Sequence, residues 1–88
     1  MITTSQVNEI AEKIKTLGLD ETTISALRQH YQPIHFTYCM DDDLPNNTPV
    51  IEHKDFNLYL IDGREHCLCL TNNYDTATGI VVAETYPD

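Results

Sequence analysis

The sequence predicts an α+β domain in which two N-terminal helices pack on one face of a four-stranded antiparallel meander. Two observations carry this. Apolar residues recur every three or four positions up to about residue 31, and from residue 34 onward they alternate with a period of two. With 88 residues the chain has the size of one small domain. We therefore expect a single domain over 1–88, with a helical hairpin at 4–32 and an antiparallel sheet at 34–86.

Val7, Ile10, Ala11, Ile14 and Leu17 form one helical stripe, with Asn8, Glu9, Glu12 and Lys13 facing away. Thr3 with Gln6 has the form of a capping box, Thr4 and Ser5 being other cap candidates, and Gly18 supplies the stop. Asp20 can cap a second helix whose apolar edge is Ile24, Leu27 and Tyr31. That helix must end before Pro33, because the residue preceding a proline is pushed away from helical angles.

Ile34, Phe36, Tyr38 and Met40 alternate with His35, Thr37, Cys39 and Asp41, the pattern of a half-buried strand. Residues 41–49, with three aspartates and two prolines, read as an acidic loop. Strands are expected at about 56–61, 65–71 and 80–86. A three-residue turn, Ile61-Asp62-Gly63, would pair Leu58 with His66 and Phe56 with Leu68. This register places Phe56, Leu58, Leu60, Leu68 and Leu70 beneath the helices and turns Asn57, Tyr59, Cys67 and Cys69 to the opposite face. Such a domain buries a modest core, which makes self-association an expectation.

Five Lys and Arg against fourteen Asp and Glu give a net charge of −9, and the cations are scattered. Nucleic-acid affinity rests on clustered cations that neutralise phosphates, so neither nucleic acid nor an anionic membrane is an expected partner. The helix–turn–helix reading, with residues 22–28 in the recognition position, fails on the same ground, since Arg28 is the lone cation of the second helix. No leader-like segment or apolar run of about 20 residues is present, and three cysteines make an odd number, so a cytoplasmic protein with reduced thiols is expected.

Were the first strand to lie beside the third, His35, Cys39, Cys67 and Cys69 would form a thiol and imidazole cluster on the face away from the helices. Zinc and iron use such ligands, although Cys67 and Cys69, two apart on a strand, lie roughly 6–7 Å apart and converge poorly on one ion. A metal or redox protein is thus the second reading, and no cofactor is expected on the first. A Cys–His nucleophile is a weaker idea still, because adjacent His66 and Cys67 point to opposite sides of a strand. The sequence contains no phosphate-binding glycine loop, catalytic triad or completed EF-hand, and no enzymatic role is assigned. The leading expectation is a small acidic interaction module, meeting a protein partner or a second copy through the uncovered sheet face (His35, Cys39, Tyr59, Cys67 and Cys69) or the acidic loop (Asp41, Asp42 and Asp43).

The segments 34–43, 56–62 with 65–68, and 77–84 resemble a small bacterial domain family of unknown function associated with nitrogen-fixation gene neighbourhoods. The resemblance covers the C-terminal two-thirds of the chain and carries over no functional residue. It implies an accessory role near nitrogenase or its electron supply, in a reducing setting.

Overall fold

The computed structural model describes residues 2–44, 48–63 and 69–85, with the side chain of Asp43 left aside. Helix α1 (Thr4–Leu17) opens with a complete capping box: the Thr3 Oγ1 accepts from the Gln6 N–H and the Gln6 Oε1 accepts from the Thr3 N–H. Gly18 ends it at φ 95°, where a side chain would be strained. Helix α2 (Glu21–His30) starts at Asp20, whose carboxylate accepts from the Thr23 N–H at 2.9 Å, and is closed by Tyr31. The two helices are joined through Tyr31, which donates to Glu9 at 2.8 Å and carries the Lys13 ammonium over its ring.

The strands are β1 (His35–Met40), β2 (Ile51–Glu52), β3 (Phe56–Asp62), β4 (Cys69–Thr71) and β5 (Gly79–Glu84). The α+β class holds. Among the described residues, however, the sheet has five strands rather than four, and it is mixed rather than antiparallel: the order is β1-β5-β3-β2, with β4 also on β3. β5 runs parallel to β1 and antiparallel to β3. A strand buried on both faces needs an unbroken apolar run, and Gly79-Ile80-Val81-Val82-Ala83 is one. It therefore takes the interior place that a meander would have assigned to its neighbours in sequence.

Phe56, Leu58, Leu60, Phe36, Ile80 and Val82 join Val7, Ile10, Ile14, Ile24 and Leu27 in the main core between helices and sheet. This matches the expected inward set on β3; on β1 Phe36 is buried as expected, whereas Tyr38 is 42% exposed. The register of the next hairpin does not match: Leu60 pairs with Thr71, Ile61 with Leu70 and Asp62 with Cys69. The shift from the expected tight turn is odd, so every side chain on β4 changes face. Leu70 lies on the side away from the helices, and Cys69 lies on the helix side, exposed at the sheet margin.

The face away from the helices is also not open. Order β1-β5-β3-β2 forces the connection between β1 and β2 to cross two strands, and it crosses on this side. A 3-10 turn (Asp41–Asp43) begins the crossing, and Leu44 packs with Tyr59, Ile61, Val81, Ala83, Cys39 and Leu70 in a second, smaller core. β2 escaped the sequence reading because its two residues follow a proline-rich stretch and carry too short an alternation to register.

Candidate functional site

The residues singled out from sequence fall in three places. Asp41 is half-buried and accepts from the Tyr59 hydroxyl at 2.8 Å and from the Asn57 amide at 3.1 Å. Tyr59, expected on an uncovered face, is only 5% exposed. The pair therefore anchors the crossing loop to the sheet instead of offering a contact surface, while Asp42 remains exposed.

His35 and Cys39 share the far side of β1, four residues and so roughly 13 Å apart along the strand. Cys69 is on the opposite edge of the sheet, with β5 and β3 between, a distance of roughly 14 Å even before its reversed face is counted. The condition for the cluster, the first predicted strand lying beside the third, is thus not met, because β5 inserts beside β1. Cys67, His66 and Leu68 lie outside the described residues. Among the described residues, no group of three or more His, Cys, Asp or Glu side chains is placed to hold a metal ion.

Burial pushes the Tyr31 phenol up to about 12, with the Glu9 hydrogen bond and its negative charge adding to the effect. Burial also raises Tyr59, and the Asp41 hydrogen bond and charge act in the same direction. A raised phenol means that the unfolded chain, whose tyrosines ionise near 10, releases its protons first. The stabilisation is complete below pH 10 and is lost as pH rises through the folded-state value near 12. Thermal melts should accordingly hold level up to about pH 10 and fall beyond it. Tyr31→Phe should flatten part of that fall, and an unchanged slope would contradict the assignment.

The surface that sequence reasoning missed is the groove between α2 and β1, of about 530 Å³, lined by Asp20, Glu21, Ile24, Arg28, Thr37 and Tyr38. Tyr38 is 42% exposed and donates to Glu84, its neighbour on the same face of β5. An aromatic face with three carboxylates around it attracts cations, both through the ring quadrupole and through charge. Among the described residues, Arg28 is the one cation lining the groove. Its guanidinium is turned to the sheet backbone, donating from Nε and Nη2 to the Phe36 carbonyl at 3.3 and 3.2 Å. Each member had a different reading in the sequence: Asp20 and Glu21 as helix-start residues, Tyr38 as an inward strand residue, Arg28 as an isolated cation. Only the packing of α2 against β1 brings them together.

Among the described residues, no helix is long and apolar enough to cross a membrane. The sequence profile of a family of unknown function, DUF6129, matches residues 6–85. No curated protein and no solved structure matches the chain.

Proposed function

The chain therefore belongs to the DUF6129 family, and we propose that it is a small acidic interaction module whose groove between α2 and β1 takes a lysine- or arginine-bearing segment of a partner protein. The observation that carries this reading is the exposed Tyr38 ring set among Asp20, Glu21 and Glu84, in a chain of net charge −9. A cation over an exposed ring contributes about 0.5–1 kcal/mol, and each exposed ion pair about 0.2–1 kcal/mol. Together these amount to at most about 4 kcal/mol and support a weak, salt-sensitive association, with a Kd of about 1 mM or weaker for a short segment. The setting we propose is cytoplasmic, as the sequence pattern leads us to expect, and accessory to nitrogen fixation, as the family resemblance implies, with the partner drawn from that machinery.

A fluorescein-labelled octapeptide of alternating lysine and valine tests this by anisotropy. Binding is expected to weaken about fivefold with either Tyr38→Ala or Glu21→Lys, to fall with added salt, and to persist in Asp42→Lys. Absent binding, or binding indifferent to both groove variants, would overturn the reading. So would light scattering at high concentration showing twice the 10.0 kDa chain mass, with the groove residues buried between copies.

A further inference from the structure

Among the described residues β1 is the end strand of its sheet, and its outer edge has a direction that the hydrogen bonds fix. The His35 N–H donates to the Thr78 carbonyl, on the β5 side, at 3.2 Å. Peptide groups alternate along a strand, so those of Phe36 point outward, away from β5. That is where the Arg28 guanidinium is found, on the Phe36 carbonyl. Two grooves open at this point of the edge. One is the Tyr38 groove, and the other, of about 690 Å³, starts beside Phe36 and His35 and runs across the end of the sheet to Gly79 and Ile61; Arg28 lines both.

We infer that Arg28 is a latch on a strand-pairing edge, and that the basic segment adds to β1 as an extra strand, taking the Phe36 carbonyl in place of the guanidinium. This rests on the interaction reading above and specifies its geometry. An outer edge strand with room on both sides and no proline or lysine of its own is a template for an added strand. Natural sheets blunt such edges with charge, and here the charge comes from a neighbouring helix, on a side chain that can swing away. The occupant is a basic strand rather than a second copy, since pairing two chains that each carry −9 would oppose the same carboxylates that welcome lysine. Alternation in an extended segment then directs every second side chain over Tyr38 and toward Glu21 and Glu84.

The test uses the same lysine–valine octapeptide and two versions of it, N-methylated at odd or at even positions, which keep the charge and remove alternate backbone donors. One of the two versions is expected to bind about tenfold more weakly than the parent and the other to bind nearly as well. Arg28→Met should tighten binding of the parent about three- to tenfold, and Arg28→Lys, which keeps the charge but loses the forked donor, about two- to threefold. The weakened N-methylated version should gain little from either. Equal binding of all three peptides to the wild-type chain would overturn strand addition while leaving the charged groove in place. Weaker binding to Arg28→Lys than to the wild type would overturn the latch. Failure of the parent peptide to bind at all would remove the interaction reading itself.

Discussion

Leu58→Ala is expected to lower stability by about 2–5 kcal/mol, the range for truncating a fully buried leucine without collapse of the site around it. Leu58 has 0% exposure and lies in β3 between two partners, Ile51 on β2 and Val82 on β5. Its side chain is enclosed by the helix stripe above and by strand neighbours on both sides, so nothing nearby is free to move into the space. A domain of this length has roughly 4–13 kcal/mol of total stability, at about 0.05–0.15 kcal/mol per residue. The substitution therefore removes a large fraction of it, and the melting temperature should fall by about 10–30 °C. Urea unfolding, with the midpoint lowered and the slope unchanged, is the check. A loss below about 1 kcal/mol would mean that the sheet does not bury this residue as described.

The second large effect is at Gly79, where β5 begins beside β1. A Cβ built at this position meets the His35 carbonyl oxygen at 2.8 Å and the His35 Cβ at 3.0 Å. The first of these is backbone and cannot swing aside, so Gly79→Ala must push the parallel strand pair apart where His35 also donates to Thr78. Overpacking of this kind costs about 1–3 kcal/mol. The loss should be local as well as global: amide exchange at His35 and its neighbours on β1 should accelerate more than exchange in β3. Uniform acceleration, or none, would show that β1 does not approach β5 this closely.

The helices were legible because their signals are local. The stripe Val7, Ile10, Ala11 and Ile14 is buried as its spacing requires, and Thr3 and Asp20 cap where their chemistry suits. The inward face of β3 and the inward Phe36 of β1 were legible for the same reason, as Phe56 and Phe36 show. Strand order was not, since a period of two says which side a residue faces and nothing about which strand lies alongside. The run from Gly79 to Ala83 held the clue: its lack of alternation marks a strand covered on both sides. An interior place for this run displaces the meander and separates Cys39 from Cys69. The hairpin register failed because a tight turn and a longer connection both unite some leucines, and only an odd shift separates them. Of the candidate site, Asp41 and Tyr59 bind each other and seal the far face, a contact between loop and sheet that no local pattern encodes. The groove was invisible because Glu21, Arg28 and Tyr38 belong to two elements whose contact no local pattern encodes.

Chemical-shift mapping of the ¹⁵N-labelled chain with the alternating lysine–valine peptide tests the central claim most directly. Strand addition in the groove predicts the largest changes at Phe36, Thr37 and Tyr38, with Glu21 and the Arg28 side-chain Nε–H moving alongside them and Asn57 and Tyr59 still. Changes centred on Asp41 and Asp42, or spread evenly over the acidic surface, would contradict it.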